Sequence, residues 1–189
     1  KKYLIRDLRQ IYVKISEWEK STFLQIQTYY EDAYLKIIEA RLTRKQYLFK
    51  GLSNISEAIK IYERVKYLLS ERLEIVEEEK EISEEELIVR DKERDLYEKC
   101  TKSLNATIKL KEEIEFLLFT QLKEKGIQRD DLIKISDLAL EYDVDLYDVI
   151  VDTFREDSKT KNALIETLEK IDDIFNQYDE WKEIELKVF

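Results

Sequence analysis

Apolar residues recur along this chain with the three-and-four spacing of amphipathic helices. Leu4, Leu8, Ile11, Ile15 and Trp18 fall on one face and predict a first helix over about 3–19. Ser21 or Thr22 then reads as the N-cap of a second helix, built on Phe23, Ile26, Tyr30, Ala33 and Ile37 with Tyr29 and Tyr34 widening its face. That helix is expected to reach Phe49, with Gly51 supplying a turn. A third helix is predicted over about 53–80 on Ile55, Ile59, Tyr62, Leu69, Leu73 and Val76. It fades into the acidic run EEEKEISEEE, where Ser83 and Glu86 have the spacing of a capping box. A fourth runs over about 84–124 through Leu96, Cys100, Leu104, Ile108, Ile114, Leu118 and Leu122, and Gly126 ends it.

Short polar connections between long amphipathic helices make successive helices fold back on one another, so the predicted fold is all-α. Residues 1–125 read as an antiparallel helical bundle and residues 126–189 as a smaller, acidic, helical C-terminal region. Within the latter, DDLIKISDLALEYDVDLYDVIVDTFRED predicts two short helices with a break near Tyr142 to Asp145. A closing helix over about 158–181 follows on Leu164, Leu168, Ile171, Phe175 and Tyr178. The last residues, IELKVF, alternate apolar and polar and are the candidate for a short terminal strand. No repeat of 20–50 residues is visible, which argues against a solenoid.

Composition supports long helices. There is no proline and there are two glycines in 189 residues, with 40% charged and 43% hydrophobic positions. The net charge is −10 but unevenly spread: +5 over residues 1–50, −6 over 51–124 and −9 over 125–189. That division favours complementary docking within or between subunits over general affinity for polyanions. No apolar run approaches the roughly 18 residues needed to span a bilayer, and the amino end, KKYLIRDLRQ, lacks the apolar core of a signal peptide. With a lone Cys100 set between Leu96 and Leu104, the expectation is a buried thiol and a cytoplasmic, reducing location without membrane association.

The residues available for chemistry are few. Histidine is absent, which removes the commonest acid/base catalyst and transition-metal ligand. The single cysteine has no histidine to activate it, and Gly51 and Gly126 are too far apart in sequence to build a phosphate-binding loop. The acidic run between two helices reads as a solvated connection, not a metal centre. The C-terminal pattern matches a helix-turn-helix superficially, with Leu138, Val144, Val149 and Ile150 at the apolar positions. However, its second helix carries Asp145, Asp148 and Asp152 against Arg155 alone, so direct DNA contact is weak at most. No catalysis and no cofactor are expected. What stands out is the aromatic content, twelve tyrosines, seven phenylalanines and two tryptophans, of types that serve both cores and interfaces.

The segment LRQIYVKISEWEKSTFLQIQTYYEDAYLKIIEA resembles the start of archaeal GINS subunits. The likeness lies in Leu8 and Arg9 opening a helix, a break at Lys20 and Ser21, the pair Leu24 and Gln25, and an aromatic segment at Tyr29 and Tyr30. LLSERLEIVEEE, the acidic spacer and RDKERDLYEKCTKSL resemble that family's second block through Arg72, Leu73, Leu96 and Tyr97. The resemblance covers about residues 5–110. Thr22 stands where the family usually has proline, and residues 127–189 look helical where many members carry a small β-rich domain. The resemblance implies a DNA-replication scaffold that forms a heterotetramer with a paralogous subunit and links the MCM helicase to a RecJ-like partner.

Read together, these features give a non-catalytic scaffold whose partner interface involves Trp18, Tyr29, Tyr30, Tyr34, Arg72 and Tyr97. Two other readings stand beside it: a standalone helical or coiled-coil adaptor, and a helix-turn-helix-type nucleic-acid-binding regulator.

Overall fold

The computed structural model describes residues 2–46, 48–75 and 84–178, with side chains described from Thr22 onward except at 74, 75, 85 and 86. All regular structure among these residues is helical. The predicted terminal strand, the Ser83 cap and the end of the third predicted helix lie outside the described residues.

The first two predicted helices are one. Helix α1 (Lys2–Thr43) runs 42 residues without interruption, about 63 Å at 1.5 Å per residue. The predicted break at Lys20 to Thr22 fails because Ser and Thr cost a helix only a few tenths of a kcal/mol each relative to alanine. The apolar stripe also stays in phase across it, since Ile15 and Ile26 stand eleven residues, or three turns, apart. A tight turn follows, with the Gln46 amide donating to the Thr43 carbonyl at 3.0 Å.

Helix α2 (Leu48–Ile75) begins before Gly51, so that glycine is not the turn. It is a packing position. A Cβ there would stand 3.3 Å from the Ala40 carbonyl oxygen, and Ala33, Ala40 and Ala58 are fully buried nearby in sequence on the same two helices. Small residues at the crossing let α1 and α2 approach closely.

The third rod matches the predicted span 84–124 but changes pitch near its end. Helix α3 (Glu84–Glu115) passes into a π-helical segment (Phe116–Gln121) and a final turn, α4 (Leu122–Glu124). Gly126, at φ +88°, then closes it. The Gly126 amide donates to the Lys123 carbonyl and the Ile127 amide to that of Leu122, both at 2.9 Å. Ile127 buries itself behind the turn. Glycine is required there because a Cβ disfavours positive φ.

The C-terminal helices are α5 (Arg129–Tyr142), α6 (Leu146–Thr153) and α7 (Ser158–Gln177). A capping box between Gln128 and Asp131 opens α5. Asp143, at φ 51°, ends it in a left-handed conformation, and the Val144 amide returns to the Ala139 carbonyl at 3.1 Å. Asp157 caps α7 by accepting from the Thr160 amide at 3.1 Å. Hydrogen bonding from Thr160 holds the Asp157 carboxyl below its usual range.

Helices α1, α2 and α3 alternate in direction, so α3 runs parallel to α1. One hydrophobic core extends from Ile26 through Tyr62 and Leu118 to Phe175 and Tyr178. The C-terminal helices therefore pack onto the bundle. The Thr107 and Tyr178 hydroxyls meet at 2.9 Å, and the Leu146 amide at the start of α6 donates to the Lys45 carbonyl at 2.8 Å.

Candidate docking surfaces

The sequence-derived interface residues separate once placed. Tyr30 lies between α1 and its neighbours: its hydroxyl meets Ser103 of α3 at 3.1 Å, and its ring centroid is 5.5 Å from that of Tyr62. Tyr29 carries the Arg64 guanidinium over its ring at 5.1 Å. Lys66 of α2 stands 5.7 Å above the Tyr97 ring on α3. Tyr34 is half-buried on α1. Arg72 pairs with Glu93 at 2.7 Å across α2 and α3, and Glu93 is almost wholly buried. These residues thus lie along the seams of the three-helix section, each of Tyr29, Tyr30, Arg72 and Tyr97 engaged with another element or side chain of the same chain. Trp18 lies on α1, in the part whose side chains are not described.

Other features face outward. Ile26, Ala33, Ile37 and Ala40 turn one side of α1 into the core. On the opposite side, Leu24, Leu35 and Leu42 are 61%, 58% and 75% exposed. They stand eleven and seven residues apart, three turns and then two, so all three share a narrow line about 27 Å long. Exposed leucines are ordinary when scattered; these three share the face opposite the core, with the exposed Thr28 and Glu31 standing between the first two. This counter-stripe is present in the sequence at a spacing that the stronger core stripe overshadows.

A groove of about 260 Å³ opens where the α1–α2 turn meets α6 and α7. Leu48, Ile165, Leu168 and Ile171 lie among its lining residues, together with Arg44, Lys45, Asp145, Tyr147, Asp148, Glu169 and Asp172. Arg44 holds this junction together. Its Nε donates to Asp172 at 2.5 Å, another guanidinium nitrogen donates to the Arg41 carbonyl, and its carbon lies 5.3 Å from the Phe175 ring centroid. None of these groove residues was legible as a set, because the tertiary fold brings together positions a hundred residues apart.

Chemically, the surfaces offer apolar contact and charge. Cys100 is fully buried, its Sγ 3.2 Å from the Tyr62 carbonyl oxygen. Among the described residues no group of three or more acidic or cysteine side chains is arranged to hold a metal ion, and no helix is long and apolar enough to cross a membrane. Compared with known protein families, characterised proteins and solved structures, the chain matches none.

Proposed function

We propose that this chain is a non-catalytic helical scaffold that docks a partner protein along the outer face of α1. The observation that carries the reading is the line of Leu24, Leu35 and Leu42, held outward on the face opposite the core. A helix packed on its inner side, as α1 is from Ile26 to Ala40, gives such a line a rigid mount, which lowers the ordering cost of binding. The seam residues Tyr29, Tyr30, Arg72 and Tyr97 support the same role indirectly: they stiffen the platform that presents α1.

The specific form of this proposal is a GINS-like subunit of a DNA replication complex, assembled with a paralogous subunit and linking the MCM helicase to a RecJ-like protein. Leu24 and Gln25, a pair on which that resemblance rests, are both exposed on α1. Purification of the native complex with this chain tagged, followed by native mass measurement, tests it. A two-plus-two assembly containing a paralogue and MCM is expected, and Leu35→Glu is expected to dissolve it while leaving helicity and melting temperature nearly unchanged. Recovery of the chain alone, as a monomer or homodimer, overturns the replication form. An unchanged complex with Leu35→Glu overturns the docking face.

A further inference from the structure

Helix α1 is longer than the helices packed on it. Gly51 lies beside Ala40, Glu57 pairs with Lys36 at 3.2 Å and Arg64 lies over the Tyr29 ring. Each step along α2 thus matches about one step back along α1, and Ile75 stands level with roughly residue 17 of α1. Tyr30 meets Ser103 of the parallel α3. By the same count Glu84, where α3 begins, stands level with about residue 11. The start of α1 at Lys2 therefore extends about 22 Å past the described end of α2 and about 13 Å past that of α3.

The core line of α1 continues along this extension. Ile15 stands three turns before the buried Ile26, and Leu4 three turns before Ile15, with Leu8 and Ile11 between them. The four positions thus share the side that α2 covers farther on. No described residue of α2 or α3 stands level with Leu4 or Leu8. An apolar line on a projecting helix calls for a cover.

The line is complementary to itself. Leu4, Leu8, Ile11 and Ile15 follow four- and three-residue steps, the d, a, d and a positions of a heptad. Two copies running antiparallel about a twofold axis between positions 9 and 10 set Leu4 opposite Ile15 and Leu8 opposite Ile11, so every layer is apolar. The flanking positions agree. Asp7 and Lys14 both fall at g, which meets g of an antiparallel partner, so Asp7 of each copy comes beside Lys14 of the other. Ile5 and Tyr12, both at e, match in the same way, while Lys2, Arg6 and Arg9 fall at b and f, outside the seam.

The fold sets the direction. A parallel partner would have to continue through the space that α2 occupies beyond residue 17. An antiparallel partner instead leaves past Leu4, away from the helices, and its amino end arrives where α2 stops. That end is basic, with five cationic residues and one acidic over 1–14, and the stretch it reaches, 77–86, carries seven glutamates and one lysine. We infer that the extension of α1 pairs end to end with that of a second copy of this chain, each copy taking up the line where α2 leaves it. The contact is separate from the outer line of Leu24, Leu35 and Leu42, which lies on the other side of the helix.

Sedimentation equilibrium of the full chain from about 1 to 100 µM tests the pairing. Dimerisation within that range is expected. Leu8→Glu with Ile11→Glu is expected to weaken it about tenfold or more, while the melting temperature of the monomer stays nearly unchanged. Asp7→Lys and Lys14→Asp are each expected to weaken it about threefold, and the two together to restore it. Leu35→Glu is expected to leave it intact. Solution scattering is expected to give the dimer a longest dimension of about 100 Å, since Thr43 lies roughly 50 Å from the twofold axis.

A monomer at the highest concentration overturns the pairing, as does a dimer indifferent to Leu8→Glu with Ile11→Glu or one dissolved by Leu35→Glu. So do charge effects that add instead of cancelling, and a dimer no longer than one α1, about 63 Å. A lowered melting temperature with Leu8→Glu and Ile11→Glu would mean that the chain covers its own line, which overturns it too. A dimer with the expected responses but no paralogue in the native complex supports the pairing and overturns the replication form of the proposed function.

Discussion

Removing Arg72 from beneath the bundle gives the most demanding test of how the three-helix section is held together. Its Nε lies 2.7 Å from a Glu93 carboxylate oxygen, with side-chain exposures of 22% and 4%. At that separation, and at an effective dielectric constant near 20, the attraction is about 6 kcal/mol before desolvation is subtracted. Desolvation of a pair this buried consumes much of the gain, so the pair's net worth is small. Breaking it is another matter. Arg72→Met leaves a buried carboxylate without its cation and is expected to cost about 3–5 kcal/mol. Glu93→Leu in the same background removes the stranded charge and is expected to recover about half of that loss or more. The assay is urea denaturation of all four members of the double-mutant cycle, followed by helical circular dichroism at fixed pH. Additivity of the two single substitutions within about 0.5 kcal/mol would refute the reasoning, because it would mean that Glu93 finds equivalent compensation without Arg72.

Other consequences are open to simpler measurements. Asp143→Gly is expected to raise stability by up to about 1 kcal/mol, visible as a higher melting temperature, because Asp143 adopts φ 51° at the end of α5. Gly51→Ala is expected to be close to neutral in denaturant titrations, its gain in helix propensity offset by the 3.3 Å approach to the Ala40 carbonyl. Gly51→Leu is expected to cost about 2 kcal/mol or more, since backbone, not a flexible side chain, blocks its path. Hydrogen bonds from Lys170 and then Lys125 hold the Glu166 carboxyl below its usual range. A depressed folded-state pKa stabilises at neutral pH and loses its effect as pH falls through that lowered range. The melting-temperature difference between the wild type and Glu166→Gln is therefore expected to be present at pH 7 and to vanish in acid.

The amino-acid sequence by itself determined that the chain is all-α, because periodicity of apolar positions and the absence of proline act locally and need no knowledge of neighbours. It also placed the rod at 84–124, its stop at Gly126, the break after Tyr142 and the start of α7, each set by a cap, a left-handed residue or a change of phase that stands in the local sequence. The roles of Ser21, Thr22 and Gly51 needed the tertiary structure. A serine or glycine inside a helix is locally indistinguishable from one at its end, and only the close crossing of α1 and α2 shows that Gly51 makes room for backbone. The π-helical segment at Phe116–Gln121 has no local signature of this kind. The aromatic cluster was visible as residues, but whether a tyrosine meets Ser103, Tyr62 or solvent is decided by which helix lies opposite. The groove was furthest from view. Arg44 and Asp172 are separated by 128 positions, and no periodicity links them. Their meeting depends on three helices closing over one core, an outcome of packing among distant elements that no single stretch of chain encodes.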